Sequence, residues 1–283
     1  MGFASHTQLC EALDAGQSTY FTWRKQPAQA TVAGIWTDLS MSPGNPIPNY
    51  YASTPLVAAT LNGGEGLQHG GSIDPRTKHI KSITALTTTA AAVPLVLTLC
   101  DYLLYYPFID QGETNAQLLD NTVTLPRYAD GAGVMALPVL VASQTGGQSF
   151  FITYTNQAGT SGRISKTVIC NTATSSGTIV QTATATAGGN GPFIPLQDGD
   201  TGIRSVQSLT MLGADVGLIT LVLVKPITSM IIREITAPVE VDFLKDRPSL
   251  PRIYDGAYLN WLAMPNGSLA AAPIYGDITT VFN

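Results

Sequence analysis

The chain has 283 residues, 45% of them hydrophobic and only 12% charged, with 14 Lys and Arg against 19 Asp and Glu for a net charge of −5. That hydrophobic share excludes a disordered chain, and cations spread this thinly supply no basic run to neutralise phosphates, which speaks against a nucleic-acid partner. Charge at roughly half the usual ~25% leaves solubility to Ser, Thr, Asn, Gln and Gly, a surface found between packed subunits and also on extracellular β proteins.

Cys10, Cys100 and Cys170 are odd in number and lack CxxC spacing, so neither a zinc site nor a full disulfide framework is expected. The longest apolar stretch, 90–100, is interrupted by Pro94 and closed by Asp101, too short to span a bilayer. The first residues lack the apolar core of a signal peptide. No membrane partner is expected.

In chain order, Ser5-His6-Thr7-Gln8 is a capping box, Leu9, Ala12 and Leu13 follow at helical spacing, and Gly16 supplies a stop. So short a helix must lean on something else to persist. Strands are predicted at 19–23 and 33–39. Residues 42–50 contain Pro43, Pro46 and Pro48 and must run extended. With 51–66 they make a long polar connection, either an arm draped over a neighbour or a loop packed on its own subunit. From Lys78 the chain reads as β, at 78–88 and 93–106, the second long and continuously apolar as in a strand covered on both faces. Strands follow at 134–143, 148–156, 163–170 and 178–186, separated by Gly146-Gly147, 159–162 and Ser176-Gly177. Further strands are predicted at 203–212, 216–225, 228–236 and 258–264.

One motif occurs twice. Leu125, Pro126, Arg127, Asp130, Gly131 and Ala132 recur as Leu250, Pro251, Arg252, Asp255, Gly256 and Ala257, each 125 residues on. Upstream, Ile80-Lys81-Ser82-Ile83 lines up with Val206-Gln207-Ser208-Leu209, and Leu97-Thr98-Leu99-Cys100-Asp101 with Leu221-Val222-Leu223-Val224-Lys225. Conserved order at a nearly constant offset indicates a tandem duplication, 61–145 against 190–275. The predicted fold is all-β: two tandem related β-sandwich (jelly-roll-like) units with a short N-terminal helix and extended arm. The divisions are 1–60 for helix and arm, 61–187 for the first β unit with an added meander, and 188–283 for the second. Within the motif, Pro suits a strand start and Asp-Gly a turn. Arg127 and Arg252 are expected either to reach Asp130 and Asp255 across one tight corner, or to stand exposed and anchor a partner chain.

Signals for chemistry are sparse. His6, His69 and His79 belong to no metal-binding pattern, and no Gly-x-Ser-x-Gly elbow, phosphate loop or dinucleotide fingerprint is present. Glu240 and Asp242 would share one face of a strand, as a glycan-cleaving pair requires, or form a plain polar face. Asp198-Gly199-Asp200 offers oxygen ligands for calcium, or a turn. Tyr102, Tyr105, Tyr106 and Phe108 offer a sugar-stacking platform, or part of a core or subunit interface. The balance is against an enzyme, with no catalytic residue, metal or cofactor expected.

Several segments carry a resemblance: Val123-Thr124-Leu125-Pro126-Arg127-Tyr128-Ala129-Asp130-Gly131, Tyr154-Thr155-Asn156-Gln157-Ala158-Gly159, Gly191-Pro192-Phe193-Ile194-Pro195-Leu196-Gln197 and Asp200-Thr201-Gly202-Ile203-Arg204-Ser205-Val206-Gln207-Ser208. Together they resemble tailed-bacteriophage structural proteins of the capsid cement or head-decoration kind. The resemblance spans most of the chain, and its motifs are structural. It implies a protein made in the host cytoplasm and carried on the capsid surface of the virion. There it would bind the major capsid protein and copies of itself, as dimer or trimer, and stabilise the shell. A tail or baseplate subunit, and a carbohydrate-binding or receptor-binding β protein, are the alternatives.

Overall fold

A computed structural model describes residues 2–172, 174–182, 191–247 and 249–283. Helix α1 (His6–Asp14) forms where the capping box places it: Ser5 Oγ accepts from Gln8 N at 3.2 Å, and Gln8 Oε1 accepts in return from Ala4 N at 2.8 Å. Its buried side chains, Leu9 and Ala12, pack with Val281, so the helix leans on the last strand of the chain.

The rest is antiparallel β. The main strands are β1 (Ser18–Lys25), β2 (Lys78–Thr87), β3 (Leu95–Asp110), β4 (Gln117–Leu118), β5 (Met135–Ala142), β6 (Ser149–Asn156), β7 (Ile203–Met211), β8 (Leu218–Ile232), β9 (Val239–Asp242), β10 (Tyr258–Pro265) and β11 (Ile274–Phe282). They build three sheets. One runs β9-β2-β11-β1 and ends on Gly44–Asn45. A second runs from Gln181–Thr182 through Val168–Cys170 to β6, β7 and β4. The third, at the centre, runs from Thr37–Asp38 through β10, β3 and β8 to β5.

The long strands β3 and β8 carry both cores. Leu95, Leu97 and Leu99 pack with Ile80, Ile83 and Trp261 under the β2 sheet, where Trp23 and Trp261 lie 5.0 Å apart. Further along, Leu103, Tyr106 and Ile109 pack with Phe150, Ile152, Tyr154 and Leu209 under the β6 sheet. Cys100, Tyr102 and Tyr105 take the other face, covered by Tyr51, Leu61 and Trp36 of the N-terminal segment. β3 is thus buried on both faces, as its long, mainly apolar run predicts.

The two halves that repeat in sequence do not build separate sheets. In the central sheet, Asn260↔Cys100 through Pro265↔Leu95 recur as Met135↔Val224 through Leu140↔Ile219, residue numbers 125 and 124 apart. In the outer sheets, Ile278↔Ile83, Thr279↔Ser82, Thr280↔Ile80 and Val281↔His79 recur as Ile152↔Leu209, Thr153↔Ser208, Tyr154↔Val206 and Thr155↔Ser205, all 126 apart and with the same register slip. Likewise β9 pairs with β2 as β4 pairs with β7. The β3–β8 ladder maps onto itself: Leu99↔Thr228 corresponds to Leu223↔Leu104, and Asp101 faces Lys225. Strands two to six therefore relate to strands seven to eleven by an exchange in which each half completes the other's sheet.

Several predicted elements differ. Segments 216–225 and 228–236 are one strand, because Pro226 falls at a register shift opposite Cys100, where the ladder has no need of its missing N–H. Of 33–39, only Thr37–Asp38 is strand before a 3-10 turn at Leu39–Met41, and 163–170 divides into Arg163–Ile164 and Val168–Cys170. Part of 178–186 lies outside the described residues. β11 was not predicted, although it is the strand between β2 and β1.

Residues 42–66 pack on their own chain. Asp38, wholly buried, accepts from Ser40 N at 2.9 Å, Tyr102 OH at 2.8 Å, Ser40 Oγ and Tyr51 OH. Burial pushes its carboxyl up, against these four donors. Nearby, Lys25 Nζ donates to Ser42 O at 3.0 Å and Pro46 O at 2.8 Å, and burial brings its pKa down to about 8 while Asp38 pulls it back up. These bonds satisfy an extended segment whose prolines give it few backbone donors of its own. Asp38→Ala, which leaves the buried Tyr102 phenol without its acceptor, is expected to cost about 2–4 kcal/mol and to open residues 42–51 to proteolysis. Unchanged cleavage kinetics in the variant would show that the arm is held by packing alone.

Candidate functional site

The two motif copies meet where the two cores adjoin. Along β3 the side chains of Leu97 and Leu99 enter one core and Leu103 the other; Asp101, of the same parity, falls at the seam between them. Arg127 reaches it: Nε donates to Asp101 Oδ2 at 2.9 Å and Nη2 to Oδ1 at 2.8 Å, a bidentate pair with both side chains almost fully buried. Nη2 also donates to Leu61 O at 3.2 Å and Tyr102 O at 2.8 Å, and Asp101 Oδ1 accepts from Tyr258 N at 3.0 Å. One ion pair so ties the first motif, the arm, β3 and β10. Burial pushes the Asp101 carboxyl up, against the pull of the guanidinium.

The expected corner between Arg127 and Asp130 does not form. Asp130 instead caps its own turn, accepting from Ala132 N at 3.2 Å. Gly131 sits at φ +69°, with Ile203 O only 2.5 Å from where a Cβ would lie, so the turn is pressed against β7 and admits only glycine. Gly256, its counterpart, has only Arg127 Nη1 at 3.7 Å from that position.

The second copy is wired differently because its counterpart of Asp101 is Lys225. Lys225 Nζ donates to Ala132 O at 2.6 Å and lies 5.5 Å from the centre of the Tyr128 ring. Arg252, deprived of a carboxylate, is exposed and stacks on Tyr254 at 4.5 Å, and Tyr254 meets Tyr128 edge-on at 5.1 Å. Asp255 does not reach Arg252 either; it accepts from Ser72 Oγ at 2.9 Å and Ile73 N at 3.2 Å and pairs with Lys78 at 3.4 Å. Of the motif leucines, Leu125 is buried in the β6 core, and Leu250 packs half-buried against the β2 core and α1.

Between the copies lies a cleft of about 370 Å³, lined by Pro126 and Arg127 from the first, Arg252, Asp255 and Gly256 from the second, and Arg76 and Lys78 from the β2 approach. Pro251 lies outside that lining. Beside the cleft, the buried His69 donates from Nε2 to Ala257 O at 2.9 Å, leaving Nδ1 to face Lys78 Nζ at 3.4 Å. Burial holds its pKa down at about 4, with Ala257 O opposing and Lys78 adding to the shift. What the cleft offers chemically is a set of cationic donors. His69 is considered from the sequence only as a metal ligand, and Asp101, Lys225 and Arg76 carry no functional expectation there, yet Asp101 and Lys225 occupy equivalent positions of the repeat with opposite charge.

The other candidates separate in space. Glu240 is exposed on β9, while Asp242 pairs with Lys81 at 3.5 Å and accepts from Leu244 N, a polar strand face at the margin of a sheet. Asp200 spends both oxygens on Tyr154 OH (2.6 Å), Asn156 Nδ2 (2.7 Å) and Arg163 Nε (2.8 Å), and its pKa lies at about 2, held down first by Arg163. Asp198 points outward to Lys166 at 2.7 Å, so the two do not converge on a cation. Among the described residues, no group of three or more His, Cys, Asp or Glu could hold a metal. Tyr102, Tyr105 and Tyr106 are buried and present no stacking platform; Tyr106 OH donates to Asn121 Oδ1 at 2.7 Å. Among the described residues no helix is long and apolar enough to cross a membrane.

No protein-family model, characterised protein or solved structure matches this chain.

Arg127→Ala strands Asp101 as a buried unpaired carboxyl and is expected to cost about 3–5 kcal/mol, whereas replacing both partners by apolar residues of similar size costs far less. Denaturant unfolding of the single and paired variants checks this; equal losses would show that the charge pair is not the organising contact. His69 makes the second prediction. Its unfolded value of 6.5 lies above its folded one of about 4, so in that window the unfolded chain takes up a proton that the folded chain refuses. Stability from this group is therefore complete above pH 6.5 and falls as pH drops toward 4, by up to ~3 kcal/mol. His69→Gln, leaving Lys78 and Asp255 in place, should flatten that part of a urea-midpoint series from neutral pH to about pH 4.5.

Proposed function

We propose that this chain is a structural virion protein of the capsid cement or head-decoration kind, which binds the outside of the major capsid shell, alongside copies of itself, and stabilises it. The observation that carries this reading is the placement of exposed apolar side chains beside open strand edges on both outer sheets. On the β6 sheet the edge strand β4 presents Leu118, 75% exposed, against a surface poor in charge. On the β2 sheet the edge pair Gly44–Asn45 is followed by Ile47 and Tyr50, 60% and 57% exposed. A sheet margin next to exposed apolar side chains is what another chain covers. Two such patches on one interlocked body suit a protein that bridges neighbouring subunits.

The fold supports the same role. A shell clamp must resist pulling, and here each half's strands are held in the other half's sheets, so neither half can peel away without breaking long ladders. The glycan-binding alternative loses Tyr102, Tyr105 and Tyr106 to the core and keeps only the half-buried Phe108. A tail or baseplate subunit would use the same kind of surface and differs in its place in the particle.

Purified protein mixed with undecorated heads should bind saturably and raise their thermal stability. Leu118→Glu and Tyr50→Glu, both at exposed positions, should each weaken that binding at least tenfold while leaving the free protein's Tm within a few degrees. Absence of binding together with a tail location in an imaged particle rejects the reading.

A further inference from the structure

We propose that the cleft between the two motif copies is a carboxylate-binding site, with Arg127 Nη1 in its interior and the Arg76 and Arg252 guanidiniums at its rim, that receives an Asp or Glu side chain from a partner protein. Arg127 is more than nine-tenths buried, and its Nε and Nη2 are spent on Asp101, Leu61 O and Tyr102 O. Its Nη1 has no acceptor among the described residues and lies on the Gly256 side, where the cleft opens. Nη1 is the one part of this buried guanidinium not sealed from the cleft, so an acceptor that enters the cleft can reach it.

The rim adds two further donors. Four of the chain's 14 Lys and Arg residues, Arg76, Lys78, Arg127 and Arg252, line this one cleft. Arg76 and Arg252 are exposed and make no ion pair among the described residues, each resting instead on a ring: Arg76 at 5.0 Å on Phe282, Arg252 at 4.5 Å on Tyr254. Ring stacking orients a guanidinium plane while leaving its outer N–H groups free for a planar acceptor. The repeat explains why Arg252 is free: the position that gives Arg127 its carboxylate is Lys225 in the second half.

Charge balance selects the ligand. Lys78 is paired with Asp255 and Arg127 with Asp101, which leaves Arg76 and Arg252 against Asp74, also in the lining. That surplus of one positive charge matches a single carboxylate. A phosphate dianion or a polyanion would bring more negative charge than that surplus balances. Guanidinium forks also match a carboxylate in a bidentate manner.

This assignment rests on the assembly reading, since it names the group a neighbouring chain would present. Calorimetric titration of the full chain with a capped peptide carrying one Glu, with the matching Gln peptide and with inorganic phosphate tests it. The Glu peptide should bind saturably and the Gln peptide not. Arg76→Gln and Arg252→Gln should each weaken binding about tenfold, while Lys166→Gln, a cation outside the cleft, should leave it unchanged. Absence of saturation at tens of millimolar, affinity in both arginine variants unchanged from the wild type, or tighter binding of phosphate than of the Glu peptide overturns the proposal. Head binding that persists unweakened in Arg252→Gln removes the cleft from the interface and leaves the assembly reading standing; loss of head binding in the wild type, with the cleft still taking the Glu peptide, does the reverse.

Discussion

One antiparallel ladder, β3 against β8, sets everything else in place. It is long enough to roof two cores in succession, and its midpoint, where Asp101 faces Lys225, is also the point at which the two halves of the sequence exchange roles. Alternate side chains of β3 up to its slip near Leu103 point the same way, so a run that feeds Leu97 and Leu99 into one core and Leu103 into the next passes one side chain through the boundary between them. That side chain is Asp101. A carboxylate in such a place is tolerable only with a partner that satisfies both oxygens, and Arg127 supplies it from the first motif.

The exchange of strands follows from the same ladder. β2, which precedes β3 in the chain, pairs in another sheet with β11 and β9, which belong to the other half; β7, which precedes β8, pairs likewise with β6 and β4. Each sandwich is therefore long-range in sequence, and neither can form before most of the chain has been made. The arm contributes in the opposite sense, locally, by closing the remaining face of the central sheet through Asp38, Tyr51 and Leu61.

Pseudo-equivalent positions have diverged where the chemistry is. Arg127 and Arg252 hold the same place in the motif, but the first is neutralised inside and the second is left at the surface because Asp101 is answered by Lys225. Gly131 is required by a left-handed turn packed on β7, while Gly256 is not under that constraint. The result is a scaffold symmetric in its ladders and asymmetric in its charges, with a cationic cleft at the joint and exposed apolar side chains at two sheet margins. The proposed assembly role draws on both.

Short-range signals were readable without a structure. The capping box placed α1, the long, mainly apolar run at 93–106 marked a strand covered on both faces, and Gly and Pro punctuation gave most strand limits, because these depend on neighbours a few residues away. The repeated motif was equally plain, and extending its offset from 149–156 would have placed β11, which lacks a strong pattern of its own. Other matters depended on residues distant in sequence. That Pro226 sits at a slip within one strand instead of ending it, that Arg127 chooses Asp101 over the nearer Asp130, that the tyrosines of β3 face inward, and that the halves trade strands are decided by which surfaces must be buried against one another. The sequence by itself determined the all-β class, the helix and the duplicated motif; the partners of each strand and charge were decided by the tertiary structure, because a ladder register and a buried ion pair are settled only when both sides of the contact are present.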